Sequence, residues 1–398
     1  MCWWQGQKRT SQSRIQPART VGRQCGIRDR NASVWKVGWA GLKSSGDIIT
    51  VPPAQAALFP LDEQLEISDV VWSEGVMRAA VWLSGAVPSY EMVEEILRRI
   101  GSMHVSRTTI WRNTQEVGCK FRRLEETERK RATALPEQWE PPSRAVVADQ
   151  RMGVALDGAL MNIRLEGWKE VKIGSVFEIA VSPTPAPDTG EMVEFAHADH
   201  NSYVAHLGGP EVIGELTWTE ARRRGWEQAQ DTQVLGDGAV WIWNQAALHF
   251  GSAHQVMDWY HAKQHLTAAA HLLKPENAPA FARWLNSRST LLFQGHAQRI
   301  ADELDQAAHA QASADLAEEA TFFHNHHLRM NYLEMREENW LIGSGTVESA
   351  AKQFKARFAG PGMRWSRNGA QNLLPIRSAL LSNRFDDRWA AAKNLPQV

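Results

Sequence analysis

Two short apolar segments of the chain each end in an aspartate that is followed by glycine and alanine. Residues 154–157 read Val-Ala-Leu-Asp and residues 234–237 read Val-Leu-Gly-Asp. Short apolar runs bounded by turn residues are typical of buried strands. Further strands are expected over 171–179 and 254–259, with a helix over 211–228 between the two acids. This order predicts a mixed α/β sheet with an acid at the end of two strands.

A long helical region separates these strands from a third acid. Apolar side chains recur at helical spacing from about residue 260 to residue 336. Residues 343–348 then read Gly-Ser-Gly-Thr-Val-Glu, a glycine turn that opens a helix. Ser344 or Thr346 is expected to cap that helix, and Glu348 lies in its first turn.

Asp157, Asp237 and Glu348 are the candidate catalytic and metal-binding residues. Two strand-end carboxylates a few ångströms apart repel each other, and a divalent cation relieves that repulsion. Mg²⁺ prefers carboxylate oxygens and keeps positions open for a substrate phosphate, and a third acid allows a second ion. Each acid also has a plain alternative. Asp-Gly is a common hairpin dipeptide, and a first-turn glutamate suits the helix dipole or pairs with Lys352.

Residues 89–118 predict a helix-turn-helix. Apolar side chains at helical spacing indicate a helix over 89–100, and Gly101 breaks it. Ser106 is expected to cap a second helix over 107–117, which Gly118 ends and in which Trp111 packs. Side chains suited to DNA contact are expected to stay exposed on it: Arg107, Thr108, Arg112, Asn113 and Gln115. The alternative is an ordinary helical hairpin.

Charge is segregated along a nearly neutral chain of 44 Lys and Arg against 45 Asp and Glu. Residues 1–58 hold nine basic and two acidic residues, and residues 349–388 hold eight basic and two acidic residues. Segregated basic segments can meet phosphates, although solvated surface is the alternative. In the second segment, four residues are expected to contact DNA: Lys352, Arg364, Trp365 and Arg367. The proline-punctuated residues 120–150 are expected to form a linker.

Other features limit localisation and cofactors. The sequence has no run of about 18 apolar residues and no signal-like apolar start, so a cytoplasmic protein with no membrane partner is expected. The three cysteines form no CxxC pair, which argues against a disulfide scaffold. Three histidines are expected to pack or hydrogen-bond near the acids, with zinc binding as the alternative: His254, His261 and His265. Three more are expected on a helix surface: His324, His326 and His327.

Six segments together resemble a known family of enzymes. They are Val-Ala-Leu-Asp-Gly-Ala (154–159), Glu-Gly-Trp-Lys-Glu-Val-Lys-Ile-Gly (166–174), Gly-Asp-Gly-Ala-Val-Trp-Ile-Trp (236–243), Asp-Trp-Tyr-His (258–261), Ile-Gly-Ser-Gly-Thr-Val-Glu-Ser-Ala (342–350) and Gly-Met-Arg-Trp-Ser-Arg-Asn-Gly-Ala (362–370). From about Phe59 to Trp389 the chain is similar to bacterial insertion-sequence transposases of the DDE type. The similar group is the ISKra group, which is related to Mutator-like transposases.

The resemblance implies a domain organisation. It consists of a helix-turn-helix region and linker over 59–145, a ribonuclease-H-like core over 146–259, a helical insertion over 260–340, and completion of the core with a basic tail over 341–398. The family's acids fall on Asp157, Asp237 and Glu348, and its acid-x-x-His element falls on Asp258 and His261. Glu348 lies 111 positions after Asp237, and the interval reads helical, as the insertion requires.

The resemblance also implies an activity. Two Mg²⁺ or Mn²⁺ ions would support cleavage at element ends and strand transfer by a 3′-hydroxyl. DNA ends and target DNA would be partners of a homo-oligomer associated with the nucleoid.

One departure from the family concerns residues 1–58. Family members carry a cysteine-rich zinc module there, whereas this chain has only Cys2 and Cys25 in that segment. We expect an irregular basic segment without a zinc site, a frameshifted or decayed version of the module. A catalytically inactive or domesticated DNA-binding protein is therefore one alternative function. A hydrolase that uses two carboxylates, such as a glycosidase, is another.

Overall fold

The structure, a computed structural model, describes two short strands and most of the chain after residue 71. The described residues are 72–134, 150–185, 190–274 and 278–395, with β1 (Ile49–Thr50) and β2 (Ala57–Leu58), which pair antiparallel. The chain divides into two compact units, Met1–Val71 and Trp72–Val398. Apart from β1 and β2, the expectations for residues 1–58 lie outside the described residues, and every candidate site residue lies in the second unit.

The second unit alternates strands and helices before a long helical stretch. Its strands are β3 (Arg151–Ile163), β4 (Gly167–Pro185), β5 (Met192–His206), β6 (Asp231–Gly236) and β7 (His254–Met257). Its helices are α1 (Glu74–Ala86), α2 (Tyr90–Gly101), α3 (Arg107–Ala132), α4 (Pro210–Arg223), α5 (Val240–His249), α6 (Trp259–Leu273), α7 (Ala278–Phe293), α8 (Ala297–Gln311), α9 (Ala314–His326), α10 (Tyr332–Glu337), α11 (Gly345–Phe358), α12 (Arg367–Leu381) and α13 (Phe385–Lys393). The helical stretch predicted over 260–336 is confirmed for the described residues.

The five strands form one open mixed sheet in the order β5-β4-β3-β6-β7. Strands β5, β4 and β3 pair antiparallel, whereas β3, β6 and β7 run parallel. Helices α4 and α5 supply the crossovers that parallel neighbours require. The predicted mixed α/β class is confirmed, and the order is compatible with a ribonuclease-H-like core. Strand β5 was not predicted, because its outer half is exposed at the sheet edge and lacks apolar alternation.

Helix α3 corrects the sequence analysis at its second half. Ser106 caps it as predicted, accepting a hydrogen bond from the backbone N–H of Thr109 at 3.3 Å. Gly118 does not end it, and the helix continues to Ala132 through part of the predicted linker. A Cβ at Gly118 would overlap the backbone carbonyl of Asn372 in α12. The glycine is therefore there for close helix packing, a contact with a residue far along the chain.

Gly118→Ala should destabilise the protein. The added methyl group meets a helix backbone that cannot rotate away, so we expect the free energy of unfolding to fall by about 3 kcal/mol, as for overpacked cores. Chemical denaturation of the full chain measures the change. Gly75→Ala in α1 is the matched control, because nothing lies within 4 Å of a Cβ there. The control should be neutral or stabilising by about 0.5–1 kcal/mol. Equal stability of the two variants would contradict the close packing.

The sheet and the surrounding helices share one hydrophobic core. Phe121 of α3, Leu156 of β3, Leu304 of α8 and Leu373 of α12 belong to the same buried cluster. Helix α11 packs against β3, and α12 packs against both α3 and β5. No helix among the described residues is both long and apolar enough to cross a bilayer.

Candidate active site

The two predicted aspartates lie side by side in the middle of the sheet, Asp157 within β3 and Asp237 directly after β6. The prediction that Asp157 ends its strand is wrong, because β3 continues to Ile163 in antiparallel pairing with β4. Leu156 of β3 is paired with Gly236 of β6 in parallel register, and each is followed directly by its aspartate. Parallel neighbours are about 4.8 Å apart, so the two side chains leave the sheet as close neighbours. Asp157 Oδ1 accepts a hydrogen bond from the N–H of Gly158 at 2.6 Å. Asp237 Oδ1 accepts one from the N–H of Ala239 at 2.8 Å.

Glu348 approaches the two aspartates from α11. That helix packs on β3, and Glu348 lies in its first turn. The pKa of Asp157 is raised to about 6, mainly by burial. The carboxylates of Asp237 and Glu348 contribute to the rise, and the Gly158 N–H and Lys355 oppose it. The structure thus brings all three predicted acids close enough for their charges to interact.

The donor set of this cluster suits a hard divalent cation. Each aspartate commits one oxygen to a backbone N–H and keeps the other available. Burial is the main cause of the raised pKa of Asp157, and a bound cation would relieve the smaller contribution that comes from repulsion by Asp237 and Glu348. Within the part of the chain that the structure describes, no three His, Cys, Asp or Glu side chains are grouped closely enough to hold a metal as they stand. The fit therefore rests on ligand chemistry.

Asp258 connects the end of β6, the start of α11 and the start of α6. The side chain is 2% exposed and is the N-cap of α6, accepting at Oδ1 from the N–H of His261 at 2.7 Å. Its Oδ2 accepts from the backbone N–H of Ser344 at 2.5 Å and from the Ser344 hydroxyl at 2.8 Å. Its own N–H donates to the carbonyl of Gly236 at 2.9 Å. Asp258 therefore fixes the start of α11 relative to the end of β6.

Ser344 plays a different part from the one predicted. It occupies the N-cap position of α11 but makes no side-chain cap, and its hydroxyl donates to Asp258 instead. The prediction that Ser344 or Thr346 caps the helix with its side chain is therefore wrong. The Ser344 hydroxyl instead donates to a buried carboxylate, and hydrogen bonds to an ionised partner are stronger than neutral ones.

Helix α9 covers the loop that carries Asp237. A Cβ at Gly238 would lie 2.6 Å from the ring of Phe322, and the ring of His326 is close by. Burial lowers the pKa of His326 to about 4, so its ring is neutral near pH 7. The prediction of a surface position is wrong for His326, because the loop after β6 packs over that face of α9. No helical periodicity within α9 could have shown that contact.

The histidines of α6 lie at the border of the same region. His261 donates its backbone N–H to Asp258, and its ring is 5.6 Å from the ring of His265. His265 Nδ1 lies 2.8 Å from a carboxylate oxygen of Glu319 and its ring stacks on Phe322. These contacts correspond to the expectation of packing and hydrogen bonding near the acids.

The predicted DNA-reading helix exposes some of its candidate residues. Arg107, Thr108 and Arg112 are exposed at the start of α3. Asn113 is half-buried, and its amide donates to the Thr109 carbonyl at 2.9 Å. Gln115 is also half-buried, and its side-chain oxygen accepts from the Asn372 amide at 3.1 Å. Trp111 is 47% exposed, so the prediction that it packs is wrong.

The predicted DNA contacts after Glu348 divide in a similar way. Lys352 and Arg364 are exposed, with Lys352 Nζ 3.8 Å from Glu348 Oε2. The indole N–H of Trp365 donates to the Phe358 carbonyl at 2.8 Å and its ring packs against Phe358. Arg367 forms a fork of hydrogen bonds with the carboxylate of Glu166. The side chains of Trp365 and Arg367 are therefore already engaged in contacts within the protein.

Comparison with known proteins adds no family assignment. The chain matches no protein-family model and no curated protein. The site consists of two neighbouring aspartates on parallel strands, a glutamate on an adjoining helix, and a buried aspartate that links this helix to the end of β6.

Asp157→Asn should stabilise the metal-free protein at neutral pH. Folding raises the pKa of Asp157 from 3.8 to about 6, so the folded state binds its proton more tightly. The stabilisation from this proton is complete below about pH 4 and is lost as the pH rises towards 6. At about 1.4 kcal/mol per pKa unit, the upper bound is about 3 kcal/mol, which partial solvent access reduces.

Thermal unfolding with a chelator, followed from pH 5 to pH 8, measures this effect. The advantage of Asp157→Asn should grow up to about pH 6 and then stay constant. Added Mg²⁺ should reduce the difference in thermal stability between Asp157→Asn and the wild type, because it stabilises the wild type. Asp231→Asn, an exposed change at the opposite end of β6, is the control. An advantage of Asp157→Asn that does not vary with pH would contradict the assigned titration.

Proposed function

We propose that this chain is a DDE transposase with a ribonuclease-H-like core. The observation that carries the proposal is the placement of Asp157 and Asp237 on adjacent parallel strands, with Glu348 on the helix packed beside them. The sheet order, three antiparallel strands followed by two parallel ones, supports the choice of core. The resemblance of the six sequence segments supports the choice of family.

The acids define the chemistry that the site would perform. Asp157, Asp237 and Glu348 would hold one or two Mg²⁺ or Mn²⁺ ions, which supply charge stabilisation for the attacking and leaving oxygens of a phosphodiester. The N–H groups of Gly158 and Ala239 orient the two aspartates. Asp258 would keep the start of the helix that carries Glu348 in place beside the end of β6.

The proposed reaction consists of two displacements at phosphorus. In the first, water attacks the phosphodiester at an element end, the P–O3′ bond breaks, and a 3′-hydroxyl is released. In the second, that hydroxyl attacks a phosphodiester of the target, a new P–O3′ bond forms, and the target 3′-oxygen leaves. Each step exchanges one phosphoester bond and needs no covalent enzyme intermediate.

DNA binding would use exposed basic side chains on two surfaces. Arg107 and Arg112 lie at the start of α3, and Lys352 and Arg364 lie on and after α11. Cationic side chains of this kind supply most of the affinity for phosphates, and that affinity falls with salt. Two ends and a target must meet in one reaction, so a homo-oligomer assembled on DNA is part of the proposal.

Cleavage of DNA that carries the element's own ends tests the function. The full chain is incubated with end-labelled duplexes containing the sequences that flank its gene, with Mg²⁺, with Mn²⁺, or with a chelator. Metal-dependent nicks at one position per end are expected, followed by joined products when a target plasmid is added. DNA binding without cleavage in either metal would overturn the enzyme and favour a DNA-binding protein derived from a transposase. Cleavage of a glycoside instead would point to the hydrolase alternative.

A further inference from the structure

The turn between β3 and β4 presents apolar side chains to solvent. Leu165 has a positive φ of 67° and is 107% exposed, and Trp168 is 61% exposed. A bulky side chain with positive φ is strained, and a fully exposed one gains nothing from packing to offset that strain. Residues 164–168, here called the hairpin tip, therefore carry an apolar surface that folding alone does not explain.

The hairpin tip is fixed rigidly to the chain after α11. Ile163 forms a bridge with Trp365, whose backbone N–H donates to Asn162 at 3.0 Å. The N–H of Arg164 donates to the Trp365 carbonyl at 2.8 Å. Glu166 accepts the fork of Arg367, which begins α12. The exposed side chains are thus presented by a supported platform, so little ordering entropy is lost when they contact a partner.

The charge of this platform is predominantly positive. Residues 164–169 and 364–367 hold four cationic side chains and one carboxylate: Arg164, Lys169, Arg364 and Arg367 against Glu166. Hydrogen bonds from Arg367 lower the pKa of Glu166, so this carboxylate stays ionised and paired. Arg164 and Arg364 are exposed beside it. Exposed cations on the same platform as an exposed indole ring match a polyanion with stacked aromatic bases.

The length of β3 gives the distance between the hairpin tip and the three acids. Strand β3 continues six residues beyond Asp157, to Ile163. At about 3.3 Å per residue, the tip lies roughly 20 Å from the carboxylates along the strand. Duplex DNA rises about 3.4 Å per base pair, so this span corresponds to roughly six base pairs.

We propose that the hairpin tip docks on duplex DNA roughly six base pairs from the phosphodiester held at Asp157, Asp237 and Glu348. Arg164 and Arg364 contact phosphates, while Leu165 and Trp168 pack against sugars and base edges in a groove. The six-base-pair register rests on the proposed function. The docking itself rests only on exposure, rigid support and charge.

Equilibrium binding tests the docking without any chemistry. Fluorescence anisotropy follows the full chain with a labelled 40-base-pair duplex of random sequence, in a chelator-containing buffer over a series of salt concentrations. Trp168→Ala should weaken binding about tenfold, within the range for loss of an aromatic contact with a base. Arg164→Ala should also weaken binding and reduce the salt slope by about one. Trp82→Ala, a partly exposed tryptophan on α1, should bind as the wild type does.

Leu165→Gly separates docking from folding. Glycine accepts the positive φ of this position, so thermal stability should stay equal or rise, while DNA affinity should fall about threefold or more. Unchanged DNA affinity in both Trp168→Ala and Leu165→Gly would overturn the proposal. The proposal would also be overturned if the variants bound DNA with unchanged affinity but lost self-association in sedimentation, because the hairpin tip would then be a protein interface.

A photo-crosslinking side chain at position 165 tests the register. Crosslinks are expected roughly six base pairs from the nick made by the wild type. If the tip variants bind DNA more weakly and the wild type does not cleave it, the docking proposal stands and the transposase proposal is rejected. If the wild type cleaves DNA normally but the crosslinks are scattered along the duplex, the six-base-pair register is rejected and the transposase proposal stands.

Discussion

Asp237→Asn is expected to abolish DNA cleavage and strand transfer while it leaves DNA binding intact. Asparagine keeps the size of the side chain and its acceptor for the N–H of Ala239, but it removes the anion that a divalent cation needs. Without that charge, the oxygens that become negative in the transition state lose their stabilisation. We expect the cleavage rate to fall by about a thousandfold or more.

The comparison with neighbouring carboxylates makes this result specific. Glu348→Gln should behave in the same way, because it removes a charge from the same cluster. Asp231→Asn, on the same strand as Asp237 but at its far and exposed end, should cleave at the wild-type rate. The cleavage rate is measured in single turnover, and binding is measured on the same duplex. Full cleavage by Asp237→Asn would show that this aspartate is not part of the active site.

Asp258→Ala should also cause a large loss of DNA cleavage, although Asp258 itself is not expected to contact DNA. Its removal leaves the Ser344 N–H, the Ser344 hydroxyl and the His261 N–H without their buried acceptor. Hydrogen bonds to a charged partner contribute about 1.5–3 kcal/mol each and three are lost, so we expect the free energy of unfolding to fall by at least about 3 kcal/mol. The start of α11 is then free to move, and the cleavage rate should fall about a hundredfold.

A control of equal stability separates positioning from simple destabilisation. Gly118→Ala should lose a similar free energy of unfolding at a packing site in α3, away from the acids. If Asp258 positions Glu348, Asp258→Ala should need a higher Mg²⁺ concentration for half-maximal cleavage, whereas Gly118→Ala should not. Ser344→Ala should show a smaller shift, because the backbone N–H still donates to Asp258. Identical metal dependence in all three variants would leave Asp258 with a structural role only.

Local patterns in the sequence were sufficient for several elements. Ser106 was recognisable as an N-cap because its side chain bonds to a residue three positions later. The strand segments that lead to Asp157 and Asp237, and the helical region after residue 260, follow from runs of apolar residues within the elements themselves. These features depend on neighbours in the chain, and neighbours are what a single sequence displays.

Other features were decided by contacts between distant residues. Gly118 was taken for a helix end, yet the backbone of Asn372, 254 positions later, is what requires a glycine there. Ser344 was taken for a helix cap, yet the buried Asp258 takes its hydroxyl. His326 was taken for a surface residue, yet it packs beside the Gly238 loop. In each case the residue type fits two environments, and only tertiary packing selects one.

The sequence by itself determined which residues have the chemistry for this site and which short elements carry them. The tertiary structure decided how those elements meet. The parallel register of Leu156 with Gly236 sets Asp157 beside Asp237, and the hydrogen bonds of Asp258 hold the helix of Glu348 against them. The physical reason is that propensity and capping act over three or four residues. Strand pairing, burial and carboxylate repulsion depend on distances that exist only after the chain has folded.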